Sequence, residues 1–415
     1  MMKKTVITAL LALGSITAFA QNEVVPQPYE YKFTIVKEHG ATPVKDQAKT
    51  GTCWCFAMTS FMESELILLG KGEHDLSEMF VVRHNYVRRI KDNLLRRGKG
   101  NVGPGSIAHM YTWVMKNEGL LPEEVYGGIN YESTSHNHDD LNTWIKSINA
   151  TAVEMKKPLP KEIVDGVLDA YLGKVPEKFT YKGKEYTVES FYKSLGLNAD
   201  DYVELTSFTH HPFYEKVMVE VPDNWDYALM YNVPLDEMMQ VIDNAINTGY
   251  TVAWDGDLSE PGYAFKHHVA VNTKENIRNQ KELKAKAKEE VVTQESRQKG
   301  FETFETVDDH LEHITGIAKD QDGVKYYKTK NSWGTEDNGT GYHYISEEYV
   351  KGKYYREEIN ALLNAKSKVT ARAIYNYITN PNRVYDRDID DDWIDYISAH
   401  YSISKKEIHK KYKEL

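Results

Sequence analysis

The sequence predicts an α+β protein with a helical lobe, a β-rich lobe, a large insertion between them and a C-terminal extension. In one early segment, apolar residues recur at the spacing of a buried helix face: Trp54, Ala57, Met58 and Phe61. Much later, two runs suited to β-strands flank a turn that contains Gly323. The chain has 415 residues, of which 41% are hydrophobic, so it is long enough to bury a large core.

The first 20 residues predict an export signal that is not part of the fold. Lys3 and Lys4 precede an apolar run over 6–13, and small residues lead to an expected cleavage site after Ala20. Cleavage there makes Gln21 the mature N-terminus. No later apolar run reaches the ~18 residues of a membrane-spanning helix. We therefore expect a soluble exported protein, periplasmic or extracellular, without a membrane span.

Net charge and cysteine count narrow the function further. A formal charge of −11 argues against nucleic-acid binding, because phosphate recognition requires a basic surface. The chain has two cysteines, Cys53 and Cys55, and on a helix their side chains point apart, which is poor geometry for a disulfide. No second pair of ligands at zinc spacing accompanies them, so we expect no metal at these cysteines. A reactive thiol is the favoured interpretation.

Cys53 lies where a predicted helix over 53–70 begins. Backbone N–H groups and the positive end of the helix dipole favour a thiolate at that position. Gln47 lies on the approaching loop, and its side-chain amide could donate to an oxyanion beside the Cys53 N–H. Cys55 is the competing nucleophile, but free cysteines inside helices are usually buried packing residues.

Further helices are predicted over 77–97 and 107–118, which complete a helical lobe over residues 21–129. The loop between them, 98–106, is rich in glycine. It lacks both the spacing of a phosphate-binding loop and a preceding strand. A tight turn with accessible backbone is therefore the favoured interpretation.

Residues 130–234 predict a mixed α/β insertion. We expect a helix at 158–172 and a charged hairpin at 179–188. His210 and His211, beside Pro212, could ligate a metal ion. Because this stretch shows no neighbouring cysteine or carboxylate ligand, solvated histidines are the favoured interpretation.

The β-rich lobe is predicted over 235–350, with a helix at 235–249 and a strand at 250–254. Residues 274–300 are so rich in charge that we expect a solvated surface helix or a mobile insertion. Strands at 314–318 and 324–330 form a hairpin. The hairpin brings together His310, at the foot of its first strand, and Asn331, at the end of its second. An amide oxygen at this position can orient an imidazole and fix its tautomer.

These segments resemble the papain-like cysteine peptidases. The Asn-Ser-Trp-Gly sequence is among the most specific signatures of that family. The resemblance rests on two motifs: Gln47 with Cys53-Trp54 and Phe56, and His310 with Asn331-Ser-Trp333-Gly334.

Two departures resemble the bleomycin hydrolase, or aminopeptidase C, branch of that family. Thr50 stands where the papain signature has a second cysteine. Cys53 and His310 are separated by 257 residues, whereas compact members have ~130–150. The resemblance covers about residues 40–350 and implies the papain-like two-lobed fold with a cleft between the lobes.

The resemblance implies a role for each site residue. A thiolate–imidazolium pair attacks the peptide carbonyl, an amide holds the imidazole, and a second amide stabilises the oxyanion: Cys53, His310, Asn331 and Gln47. His310, not His313, aligns with the family's position. Substrate-binding residues are expected at Gly105, Ser106 and Trp333, of which Trp333 shields the imidazole–amide bond. No cofactor is implied, and the thiol requires reducing conditions.

The resemblance also implies aminopeptidase action, because relatives use their own C-terminal carboxylate to hold the free amine of the peptide substrate, and it implies a homo-oligomer. This chain instead continues for 66 residues past Tyr349, and we expect a helical extension over 351–415. Two alternatives stay open. One is a papain-like endopeptidase with an open cleft, and the other is a non-catalytic binding protein that kept the fold.

Overall fold

A computed structural model of the protein describes residues 28–359, with backbone alone for 354–359. The expected export signal and residues 360–415 of the expected extension lie outside the described residues. Within 28–359, none of the helices has the length and apolar character needed to cross a membrane.

Most of the predicted helices are confirmed, with ends that differ by a few residues. The sequence analysis did not predict the two helices at 139–155 and 188–195. The α-helices within the described residues are α1 (Cys53–Leu68), α2 (Glu78–Leu95), α3 (Ala108–Asn117), α4 (Asp139–Met155), α5 (Lys161–Leu172), α6 (Val188–Leu195), α7 (Leu235–Thr248), α8 (Gln294–Glu302) and α9 (Glu347–Lys353).

Eleven of the described strands form one sheet in the order β5-β6-β4-β13-β7-β10-β11-β12-β9-β8, with β1 paired to the far end of β10. A separate hairpin consists of β2 and β3. The strands are β1 (Thr34–Glu38), β2 (Phe179–Tyr181), β3 (Lys184–Tyr186), β4 (Val203–Thr206), β5 (Glu215–Met218), β6 (Leu229–Asn232), β7 (Val252–Gly256), β8 (Tyr263–Ala264), β9 (Val269–Ala270), β10 (His310–Lys319), β11 (Lys325–Lys330), β12 (Tyr342–Ser346) and β13 (Tyr354–Ile359).

Helix α1 is the central element of the helical lobe. Trp54, Met58 and Phe61 have no exposed surface, and they pack with side chains of α2 and α3 in one hydrophobic core. The α2 helix begins after Ser77, whose hydroxyl accepts a hydrogen bond from the Phe80 N–H at 3.1 Å and so caps its first turn. The predicted helix and the burial of its apolar residues are confirmed, but α1 is buried on all sides, because every residue over 54–66 is buried.

A second core lies between α7 and the sheet. Leu235 and Ile242 of α7 pack with Val252 of β7 and Ile314 of β10, all of them at most 3% exposed. The α7 helix is followed by Gly249, whose φ of +117° is a conformation that glycine adopts at little cost. The predicted hairpin is confirmed as β10 and β11.

The predicted lobe boundaries do not follow the packing. Strand β1, assigned by the sequence to the helical lobe, pairs with β10 and so belongs to the sheet. Residues 130–234 do not form a separate unit. Leu141, Leu168 and Phe191 of this insertion join the core around α1, while β4, β5 and β6 extend the sheet. A helix in a longer chain buries its apolar face against any neighbour, and local sequence spacing does not identify that neighbour.

Two other predictions are wrong in part. A helical extension was expected from residue 351, but α9 ends at Lys353 and the backbone of 354–359 forms a strand between β4 and β7. A solvated segment was expected over 274–300, but Ile277, Leu283 and Ala287 are buried against the sheet. Only its last part is helical, as α8. Scattered apolar side chains anchor this charged segment without forming a periodic stripe.

Candidate active site

Cys53 is the first residue of α1 and is half-buried beside Leu311 of β10. Burial raises the pKa of its thiol, and the backbone hydrogen bond at Leu311 opposes this shift. Three carboxylates raise the pKa further: Asp255, Asp223 and Asp308. This direction is opposite to the lowered pKa that the sequence predicts. Burial and nearby negative charge both oppose the thiolate that the helix dipole favours.

His310 begins β10, and Asn331 directly follows β11. Nε2 of His310 lies 2.9 Å from Oδ1 of Asn331. The amide orientation is fixed on both sides, because Oδ1 accepts from the Ser332 N–H at 2.6 Å and Nδ2 donates to the Tyr263 hydroxyl at 3.0 Å. Nε2 therefore carries the proton of the neutral ring, and Nδ1 is left as the basic nitrogen.

Burial lowers the pKa of His310, although Glu312 and the Asn331 bond oppose this shift. The imidazole is therefore favoured in its neutral form while the Cys53 thiol is favoured as S–H. Burial of each group therefore opposes the thiolate–imidazolium pair that the sequence predicts.

Behind Asn331 lies a buried polar chain that the sequence analysis missed. The Tyr263 hydroxyl donates to Oε1 of Glu312 at 3.0 Å, and Nε2 of His343 lies 2.9 Å from the same oxygen. All three side chains are at most 2% exposed. Glu312 could have been noticed because it lies two residues after His310. Tyr263 comes from a two-residue strand and carries no sequence signal.

Gln47 is tied to the same loop as Asn331. Its backbone N–H donates to the Ser332 carbonyl at 2.8 Å, and the Ser332 hydroxyl donates to Gln47 Oε1 at 2.6 Å. The Gly334 N–H donates to the Lys45 carbonyl at 3.1 Å. With its oxygen bound to Ser332, the Gln47 amide has Nε2 as its donor group.

Trp333 packs beside the predicted histidine. Its ring centroid lies 5.0 Å from that of His310 and 5.2 Å from that of Phe265. An indole in this position covers the imidazole with apolar surface.

The competing residues of the sequence analysis both lie in the interior. Cys55 is fully buried, and its Sγ lies 3.2 Å from the Glu78 carbonyl oxygen. His313 is also fully buried, with Nδ1 at 2.8 Å from the Ser60 hydroxyl. His310 is also buried, at 5% exposed, but of the two histidines it is the one whose ring bonds to Asn331.

We call residues 101–106 the glycine loop. The Trp54 indole N–H donates to the Pro104 carbonyl at 3.1 Å, which ties this loop to the residue after Cys53. The Gly105 carbonyl accepts a hydrogen bond from Arg89. Ser106 is only 2% exposed, and its hydroxyl accepts from the Trp225 indole at 3.1 Å. The Ser106 side chain therefore holds the insertion, and the expected substrate contact of this loop is left to its backbone.

His210 and His211 have a carboxylate neighbour that the sequence analysis did not identify. Glu220 accepts from both rings, with Nε2 of His210 at 3.0 Å and Nε2 of His211 at 2.9 Å. These three groups are close enough to hold a metal ion. However, the Gln298 amide donates to Nδ1 of His210 at 2.8 Å, which places that ring's proton on Nε2, and a protonated nitrogen cannot ligate. The hydrogen bonds favour a His–Glu cluster over a bound ion.

Comparison with known proteins identifies the family. Residues 103–361 match the model of the Peptidase C1-like family. The chain belongs to the Peptidase C1-like family. Cys53 and Gln47 lie before the matched range, whereas His310 and Asn331 lie inside it. The solved structure of PepW from Lactobacillus rhamnosis has the same fold, with a TM-score of 0.59 at 19% identity over 79% of this chain and 82% of that one. The papain-like α+β fold is therefore confirmed.

Three curated relatives agree with this assignment. Aminopeptidase C of Lactobacillus helveticus is 21% identical over 76% of this chain and 78% of its own length. "Cysteine proteinase 1, mitochondrial" of Saccharomyces cerevisiae is 19% identical over 77% and 74%. Cysteine proteinase 1 of Entamoeba histolytica is 29% identical, but the match covers 32% of this chain and 42% of that protein. The chain is a cysteine peptidase of the bleomycin hydrolase and aminopeptidase C branch.

Proposed function

We propose that the protein is an exported, thiol-dependent aminopeptidase whose catalytic residues are Cys53, His310, Asn331 and Gln47. The observation that carries this site is the bond of 2.9 Å between His310 Nε2 and Asn331 Oδ1. It fixes the ring and leaves Nδ1 as a base, which is what activation of a thiol requires.

The position of the basic nitrogen determines the order of proton transfers, because Nε2 of His310 is bound to Asn331. Nδ1 of His310 takes the Cys53 proton as sulfur attacks the peptide carbonyl, so that the C–S bond forms while the S–H bond breaks. The Cys53 N–H and Nε2 of Gln47 stabilise the oxyanion. The imidazolium then gives its proton to the leaving amine, and an acyl-enzyme remains on Cys53. Finally, His310 removes a proton from water, which hydrolyses the thioester and restores the thiol.

Aminopeptidase specificity is supported by the insertion. Residues 222–226 pack against the glycine loop, through a bond of 2.9 Å from Asn101 Nδ2 to the Pro222 carbonyl and through Trp225 on Ser106. In the proposed function this loop pairs with the peptide backbone, so a segment packed on the loop would obstruct a peptide that extends past it. The relative named aminopeptidase C is in accord with this specificity.

Two matched fluorogenic peptides test the specificity, one with a free α-amine and one N-acylated. We expect the free-amine peptide to be cleaved under reductant, the acylated peptide to be cleaved at least about 100-fold more slowly, and Cys53→Ala to be inactive on both. Equal cleavage of the two peptides would instead indicate an endopeptidase. No cleavage of either peptide would support a binding protein.

Export is tested separately, by expressing the full chain and determining the N-terminal sequence and cell fraction of the product. The proposal predicts a mature N-terminus at Gln21 and recovery outside the cytoplasm. An intact N-terminus on cytoplasmic protein would contradict it.

A further inference from the structure

The insertion places a carboxylate directly on the glycine loop. A Cβ atom built on Gly105 would clash with both carboxylate oxygens of Asp223, with Oδ1 at 2.9 Å, so the carboxylate lies directly against this glycine. The Asp223 side chain keeps 35% of its surface exposed. The negative charge of Asp223 also acts on Cys53, because Asp223 is one of the three carboxylates that raise the pKa of its thiol. One exposed carboxylate thus lies near both the proposed substrate loop and the thiol.

Residues 222–226, which we call the capping segment, are rigidly attached. Asn224 is 3% exposed, and its amide bonds to the carbonyls of Val219 and Ala228, each at 3.1 Å. Trp225 is 5% exposed and donates to Ser106 at 3.1 Å. The segment therefore holds its position through buried polar bonds and an anchored indole, which is the preorganisation that a recognition group requires.

Cations behind the capping segment hold its two aspartates. Oδ2 of Asp226 lies 3.0 Å from Nη2 of Arg88, and Oδ1 lies 2.5 Å from Nε2 of His109. Arg89, with no exposed side-chain surface, pairs with Asp223 at 3.9 Å. The buried Arg89 guanidinium therefore helps to hold the Asp223 carboxylate in place.

We propose that the Asp223 carboxylate binds the protonated α-amino group of the peptide substrate and so positions the N-terminal residue relative to Cys53. The inference rests on the proposed aminopeptidase function and adds the group that recognises the amine. A peptide α-amine with a pKa of about 8 is charged at neutral pH, and a carboxylate that faces it forms a short charge-assisted bond. An N-acylated peptide lacks this charge and brings its acyl group against the capping segment.

The test compares Asp223→Asn with the wild-type enzyme on the same two fluorogenic peptides. The amide keeps the shape of the side chain and removes its charge. Because a hydrogen bond to a charged group contributes about 1.5–3 kcal/mol, we expect kcat/KM for the free-amine peptide to fall about 10- to 100-fold. The acylated peptide should not lose rate. Asp200→Asn is the charge-matched control, since the Asp200 side chain is 67% exposed and pairs with Lys116.

The measured quantity is the ratio of the two kcat/KM values in one preparation. This ratio does not depend on how much of the variant is folded, so partial misfolding cannot imitate the result. Asp223→Glu, which retains the charge, should keep a ratio nearer to wild type than Asp223→Asn does. If the wild-type enzyme shows no preference for a free amine, the proposed function itself fails. If wild type and Asp223→Asn show the same strong preference, the function stands and the assignment of Asp223 is overturned.

Discussion

Replacing Lys45 by methionine is expected to lower the free energy of unfolding by about 3–5 kcal/mol, because it leaves buried carboxylates without their cation. Nζ of Lys45 lies 2.6 Å from Asp75, 2.9 Å from Glu78 and 3.4 Å from Glu63. The side chains of Glu78 and Glu63 are only 3% and 1% exposed. The Lys45 carbonyl also holds the Gly334 N–H, so the same residue supports the loop beside the proposed site.

The loss of unfolding free energy in Lys45→Met should depend on pH in a defined direction. Burial raises the pKa of Glu78 to about 7, even though Lys45 lowers it. Its unfolded pKa is near 4.5, so the folded state binds the proton more tightly and stability rises as pH falls from above 7 towards 4.5. Without Lys45 the folded pKa rises further. The penalty in Lys45→Met is therefore largest at pH 8 and smaller at pH 5.

Urea unfolding at pH 8 and pH 5 measures both effects. The matched control is Lys116→Met, because Lys116 and Asp200 form an exposed pair, with side chains 56% and 67% exposed. Its loss should not exceed about 1 kcal/mol. A Lys45→Met variant within about 1 kcal/mol of wild type at pH 8 would refute the view that this cluster depends on its cation.

Three other predictions concern the site and its surroundings. Asn331→Ala should lower kcat/KM by roughly 10–100-fold, less than the 10²–10⁴-fold of losing a general base, because the imidazole is still present but no longer held; steady-state kinetics measure this. Burial opposes the charge of His109, but Glu204 and Asp226 outweigh it and raise its pKa to about 9. The stabilisation that protonated His109 provides is complete below about pH 6.5 and is lost as pH rises through 9. Between pH 6 and pH 10, urea unfolding should therefore show a decrease of at most about 3 kcal/mol in the free energy of unfolding. His109→Gln should lack this decrease. Cys55→Ala should keep near wild-type turnover per folded enzyme, and a loss of activity with Cys53 intact would contradict the choice of nucleophile.

Local patterns were sufficient for the parts of the fold that depend on neighbouring residues. The apolar spacing from Trp54 to Phe61 predicted a buried helix, and the helix places Cys53 at its first position. The hairpin turn near Gly323 predicted that β10 and β11 pair, and this pairing brings His310 to Asn331. In both cases the physical cause acts over a few residues.

The parts that the sequence did not reveal depend on contacts between distant segments. Trp225 and Ser106 are 119 residues apart, so no local pattern relates the capping segment to the glycine loop. Tyr263 is 68 residues from Asn331, and only the sheet brings its hydroxyl to that amide. The pKa of the Cys53 thiol was predicted from the helix start and the His310 partner, without the neighbouring aspartates, which come from three other parts of the chain.

The central claim is that Cys53, activated by His310, is the nucleophile. The most direct measurement is the rate and position of labelling of the reduced wild-type protein and His310→Ala by a peptidyl epoxide, read by mass spectrometry of the digested protein. The proposal predicts one adduct per chain, on Cys53 and not on Cys55, and a rate at least about tenfold lower in His310→Ala. Labelling of Cys55, or equal labelling rates in the two proteins, would contradict it.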